Sequence, residues 1–206
     1  MSWASSDTVS SARTNPSNLN TLMKTKLTLL ALLLLTSAVH ADLWNGIAQI
    51  TFDGTSTLHA WGGKVNADPF QADVTMEGEK PSRVVSRVTV KSVKMDTAEA
   101  KRDENMRKAM MVTEHPIILG EIDAKFNEIA PTSTPTQLPL TLTLLGKAQK
   151  VNATISNWKI SGNKATFDLD FDLSLKKSGI TVPTVLLFIR VGDIMKMHAS
   201  VKLTRP

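Results

Sequence analysis

Three histidines carry most of the chemistry this sequence offers. His59, His115 and His198 are far apart along the chain, but strands can bring distant residues together into a metal site. No two of them are spaced i, i+2 or i, i+4, the spacings at which one strand or one helix face presents a ligand pair. The expectation is therefore separate polar side chains and no metal centre. Gly54-Thr55-Ser56-Thr57 is rich in hydroxyls, yet it falls where a strand should turn, with nothing nearby to activate an oxygen. There is no Gly-x-Ser-x-Gly elbow, P-loop, Gly-x-Gly-x-x-Gly or His-Glu-x-x-His. With no Cys in 206 residues, a thiol nucleophile, a Cys-type zinc site, an iron–sulfur cluster and a disulfide framework are excluded. Arg102 and Asp103 are adjacent, and adjacent helical residues do not face each other. That pair is expected to fix a helix against its neighbours. No catalytic residue and no cofactor are expected.

The elements that would position such groups start after a segment that reads as a leader. Met1 to Leu22 is polar and without hydrophobic period; it reads as disordered or as a mis-assigned upstream extension, since translation starting at Met23 would give a clean leader. Met23-Lys24-Thr25-Lys26 is basic, Leu27 to Val39 is dominated by Leu, and Val39-His40-Ala41 ends on small residues. Basic region, short apolar region and small-residue exit together describe a secretory signal peptide over 23–41, cleaved near Ala41. As a helix the apolar part spans about 20 Å, short of the roughly 30 Å of a bilayer core, so a membrane anchor is not expected. The absent Cys also removes lipid anchoring through that residue.

The net charge is +5. Removing the leader takes away Arg13, Lys24 and Lys26 but only Asp7, which brings the remainder close to balance. Its basic residues are scattered and not interleaved with aromatics, so nucleic acid is not an expected partner. Export without cysteines suits the periplasm, where disulfides are permitted but not required.

From residue 42 to 206 the dominant period is two. Phe167, Leu169, Phe171, Leu173 and Leu175 alternate with Asp168, Asp170, Asp172 and Ser174. Leu138 to Leu144, Met195 to Leu203, Val84 to Ser92 and Ile118 to Phe126 repeat the pattern, with shorter runs at 47–52, 62–67, 70–76 and 151–158. Gly78–Ser82, Pro131–Pro135, Ser161-Gly162-Asn163 and Gly192-Asp193 supply the turns. One stretch departs from this. Asp96 opens a capping-box-like Asp-x-x-Glu, Met106, Ala109 and Met110 form a helical stripe, and His115-Pro116 stops it. The fold class is mostly β: a single antiparallel eight-stranded barrel with one short helical insertion around 97–112. Such a sheet can turn its apolar face inward, and its interior is either filled by side chains or wide enough for one small ligand. Period alone does not separate the two.

The same residues resemble the YceI-like family, secreted bacterial proteins with a lipocalin-like barrel. Phe52-Asp53-Gly54-Thr55-Ser56-Thr57-Leu58-His59-Ala60-Trp61-Gly62-Gly63 resembles the family's opening strand and first turn, with Ala60 in place of the usual Asp. Val90 to Thr97 followed by Lys101-Arg102-Asp103-Glu104-Asn105-Met106 resembles its long strand running into an Arg-Asp helix. His115-Pro116-Ile117-Ile118 stands where the family usually has Tyr-Pro-x-Ile. Leu140 to Val151 resembles its Leu-Thr-x-x-Gly-x-Thr/Ser-Lys-x-Val strand pair, with Ala148 changed. Gly179 to Pro183 and Val191-Gly192-Asp193 are similar to its closing segment.

The resemblance implies a carrier that holds a long apolar molecule in the barrel: a polyisoprenoid, an isoprenoid quinone or a fatty amide. The residues expected to line it are Phe52 and Leu58 from the first strand region, with Val88, Val90 and Ile118 from the middle of the chain. Leu140, Leu142, Phe167, Leu169 and Phe171 follow, and Met195 and Met197 complete the set; Met adapts to irregular shapes. Trp61 and Trp158 suit either a mouth, where an indole finds one polar contact, or the surface. The expected partner is a lipid-like ligand, with transient membrane contact. Oligomeric state, a homodimer included, stays open. The second reading is a ligand-free stress-response or interaction module with a solid interior, and a hydrolase stands third.

Overall fold

The alternating runs become strands. The computed structural model describes residues 39–77, 80–126, 136–181, 184–185 and 189–206. Positions 1–22, all but the last three of 23–41, and the Gly78-Glu79 and Pro131–Pro135 turns lie outside the described residues. The strands are β1 (Val39–Thr55), β2 (Ala60–Asn66), β3 (Phe70–Glu77), β4 (Lys80–Lys91), β5 (Ile117–Lys125) and β6 (Gln137–Leu144). They continue with β7 (Lys147–Ser161), β8 (Lys164–Ser174), the short β9 (Thr184–Val185) and β10 (Ile189–Arg190), and β11 (Ile194–Thr204). β1 begins at Val39, so the last three residues of the expected leader already pair with β3, from Val39 against Glu77 to Ala41 against Thr75.

All pairings are antiparallel, in the order β11-β8-β7-β6-β5-β4-β3-β1, and β1 also pairs with β11, closing the barrel. β1 is long enough to serve two neighbours on one edge. Its first half pairs with β3 and its second half, Gln49–Thr55, with β2, a ninth strand added beside the closed eight. β9 and β10 form a small separate hairpin in the closing segment.

Burial follows the period. On β8, Ala165, Leu169 and Leu173 are buried while Asp170 and Asp172 face water. On β11, Met195, Ala199, Val201 and Leu203 are buried opposite exposed Lys196, Ser200 and Lys202. Fully burying one such aliphatic or aromatic side chain is worth about 1.5–3 kcal/mol, so the inward face is what drives closure. One cluster, with Trp44, Val74, Leu138 and Leu203, fills one end; a second, with Phe52, Val65, Met110 and Met195, fills the other.

The insertion is shorter than its sequence pattern. A 3-10 turn at Ser92–Lys94 precedes helix α1 (Ala100–Ala109). The expected Asp96 cap is not used as such: Asp96 Oδ1 accepts from the Ala98 amide, and Glu99 is the N-cap, accepting from the amides of Lys101 and Arg102. Buried Asp103 ties the helix back instead. Its Oδ1 accepts from the Thr97 amide at 2.9 Å and the Thr97 hydroxyl at 2.7 Å. The hydroxyl bond holds the Asp103 carboxyl below its ordinary pKa. This is the anchoring role expected of the Arg-Asp pair, carried by the Asp.

Candidate ligand-binding site

The inward side chains do not meet across the middle. They enclose a cavity of about 650 Å³, within the range of small-molecule sites. Of the expected lining, Phe52, Val88, Val90 and Ile118 face it, as do Leu140 and Leu142. Phe167, Leu169, Phe171, Met195 and Met197 complete the expected residues that the fold brings onto this wall.

Leu58 is the correction. β1 ends at Thr55, and Ser56 to His59 form a tight turn in which the Ser56 amide and hydroxyl both donate to the His59 carbonyl. That places Leu58 at the tip, 67% exposed and off the wall.

Several wall residues escaped the sequence reading. Trp44, Ala48 and Ile50 of β1 lie in phase with Phe52, but the apolar residues Leu43 and Ile47 on the exposed face hide the alternation. Ser86 and Gly120 face the lumen without being apolar or large; the Ser86 hydroxyl is satisfied by the Gln71 carbonyl at 2.8 Å. Trp158 faces inward because β7 carries a bulge: its register against β8 shifts between Ser156 and Lys159, with Asn157 at φ 53°. The ring then packs on Phe167 at 5.3 Å. In the sequence the flip shows only as an Asn, a residue type that tolerates positive φ.

The two ends differ. At one, Arg205 lies 4.9 Å over the Trp44 ring and reaches Asp42 Oδ2 at 2.9 Å, a stack of cation, indole and carboxylate. At the other, the wall turns polar, with Ser56 and His59 from the β1–β2 turn, the N-cap Glu99, and Lys101, Arg102 and Asn105 from α1. Trp61 stands between these groups. It meets Phe52 edge-on at 6.5 Å, and the Arg102 guanidinium lies 5.9 Å from its ring. This end carries the polar rim of the cavity.

Outside the barrel, Ser200, His198 and Asp170 come together in a triad-like row. His198 Nδ1 is 2.8 Å from Asp170 Oδ1, and Ser200 Oγ is 3.4 Å from His198 Nε2. The row does not work as a triad. The Ser200 hydroxyl donates to Asp168 Oδ1 at 2.8 Å, Asp168 also accepts from Asn157, and these bonds keep its carboxyl below the ordinary range. β11 is laddered on both edges, so its amides are not free to form an oxyanion hole. Among the described residues no group of His, Asp and Glu is placed to hold a metal.

The YceI-like domain model matches residues 44–203. The chain belongs to the YceI-like family. Among curated proteins none matches the sequence. Solved structures similar to this YceI-like barrel include BcnA of Burkholderia cenocepacia, at 14% identity over 75% of this chain and 95% of that one, TM-score 0.58. A polyisoprenoid binding domain from Saccharophagus degradans, implicated in plant cell wall breakdown, is 9% identical over 81% of this chain and all (100%) of its own, TM-score 0.54. A YceI protein of Campylobacter jejuni is 15% identical over 70% of this chain and 84% of that one, TM-score 0.52. At these identities the likeness is one of fold.

Proposed function

We propose that this YceI-like barrel is a periplasmic carrier for one long apolar molecule of the polyisoprenoid, isoprenoid-quinone or fatty-amide type. The observation that carries the reading is the lumen: about 650 Å³ of apolar-walled space with a polar rim at one end. The polyisoprenoid binding domain of similar fold supports the ligand class, and the leader-like segment at 23–41 supports the compartment. Burying a methylene gains about 0.8 kcal/mol against water and almost nothing against a bilayer, since lipid tails are as apolar as the wall. A carrier of this kind therefore takes its cargo from a membrane and returns it with little net cost, meeting the bilayer transiently. Flexible Met195 and Met197 on the wall let it adapt to tails of irregular shape.

The test is extraction. Protein purified from its native host is expected to release an apolar compound into organic solvent, identified by mass spectrometry. Leu142→Asp, which sets a carboxylate in the lumen, is expected to purify empty. A folded wild-type barrel yielding no such compound, and taking none from vesicles, overturns the reading.

A further inference from the structure

The outer surface of the polar-rim end collects exposed apolar side chains and unpaired cations. β1, β4, β6 and β8 all run toward this end, so the connections that follow them build it: 56–59, 92–116, 145–146 and the described parts of 175–193. These connections touch one another. The Thr57 amide donates to the Arg190 carbonyl at 3.0 Å, and the Arg190 amide donates to the Thr57 hydroxyl at 3.0 Å. A Cβ at Gly179 would run into the Lys147 stem, and one at Gly146 would meet the His115 ring at 3.9 Å. Nine large apolar side chains are exposed among the described residues, and five of them stand here: Leu58, Val93, Met111, Ile117 and Ile194. Leu58, at the tip of its turn, is the most exposed at 67%.

The charges of this end are unequal in what they leave available. Asp96, Glu99, Asp103 and Asp193 are taken up by backbone amides of the same connections, and Glu104 by Lys101 and Lys108. Of the carboxylates on these connections, Glu114 alone has no partner among the described residues. Against it stand Lys94, Lys147, Lys176, Lys177 and Arg190, all exposed and none in an ion pair among the described residues. A stable protein interface has a continuous apolar centre with charge at its edge. Here the apolar tips stand singly, on separate connections, with cations between them. That arrangement suits a lipid interface, where each tip dips among acyl chains while the neighbouring cations meet phosphates.

We propose that the polar-rim end docks on anionic bilayer surfaces, with Leu58 as its leading apolar tip and Lys176 and Lys177 among its phosphate contacts. This rests on the carrier reading and deepens it: it names the face that meets the membrane and the lipid charge which that face selects.

The test is flotation of the purified protein with vesicles of phosphatidylcholine alone, and of equal parts phosphatidylcholine and phosphatidylglycerol. Binding to the anionic vesicles is expected to be about 10-fold or more tighter, and to weaken with added salt. Lys176→Glu with Lys177→Glu is expected to lose about 10-fold or more. Leu58→Ser, which changes no charge, is expected to weaken binding about 3-fold or more. Lys159→Glu with Lys164→Glu makes the same change in net charge on exposed residues beside the β7–β8 turn, at the opposite end, and is expected to bind close to the parent. Equal binding to both vesicles overturns the proposal, as does a loss in the opposite-end pair as large as in the Lys176 and Lys177 pair. Binding to soluble polyglutamate without binding to vesicles overturns it in favour of an acidic protein partner. Protein that ignores vesicles yet releases an apolar compound on extraction overturns the docking and leaves the carrier standing. Protein that docks yet carries nothing overturns the carrier alone.

Discussion

Trp61 lies directly across the β1–β2 ladder from Gly54, and its ring fills the space that a side chain at Gly54 would need. A Cβ built there would stand 2.6 Å from Trp61 Cζ2 and 2.9 Å from the Met195 sulfur. Gly54→Ala should therefore push the indole from its place on the cavity wall, at a cost of about 1–3 kcal/mol for overpacking. Chemical denaturation measures the loss, and a red-shifted Trp61 emission, assigned with Trp61→Phe, reports the displacement.

Gly120 is the opposite case. It faces the lumen, and a Cβ there would meet nothing closer than Leu142 Cδ2 at 3.5 Å. Gly120→Phe should fill part of the cavity and leave stability within about 1 kcal/mol of the parent, since a strand gains when Gly is replaced. Lipid uptake measured by extraction is expected to fall while the melting curve stays close to wild type.

The acid limb of stability should pass through α1. Asp103 titrates below its ordinary 3.8 because Thr97 bonds its charged form. Its contribution is then complete above pH 3.8 and fades as pH falls through the lowered folded value. Asp103→Asn should cost about 2 kcal/mol near neutrality, the range for a hydrogen bond to a charged group, and should flatten the loss of stability below pH 3.8. Denaturation curves at stepped pH check both parts.

The β7 bulge makes a separate prediction. Asn157 sits at φ 53° and donates to Asp168 at 2.7 Å. A β-branched residue is poorly suited to that backbone, so Asn157→Val should cost about 1–2 kcal/mol and loosen the inward placement of Trp158. Because the Asn157 bond is the main cause of the lowered Asp168 pKa, that carboxyl should titrate higher in the variant, which NMR can follow.

The strands were legible because each has one wet face: the aspartates of β8 and the lysines of β11 mark the period beyond mistake. The barrel order followed from a meander of such strands. What stayed hidden has specific causes. Leu58 lies in phase with Phe52 but stands in a turn held by the Ser56 amide and hydroxyl on the His59 carbonyl, which period does not register. Trp44 is masked by the exposed apolar neighbours Leu43 and Ile47. Trp158 depends on a one-residue bulge that inverts the strand. Gly54 makes room for the Trp61 ring and Gly120 leaves lumen open by lacking a side chain, and no hydropathy pattern weighs an absence. The hollow itself is a sum over facing strands, so it belongs to the assembled sheet and to no segment of it.

β1 borders both β3 and β11, so the seam that closes the ring joins the earliest strand of the fold to the final one. A growing chain exposes its N-terminal half first, and long-range pairing of this kind is slow to find. The closed ring, and the lumen inside it, does not exist until β11 has paired with β1. Loss of β11 would thus leave a curled, open sheet with an unmatched edge and an oily face, a species fit for aggregation or proteolysis.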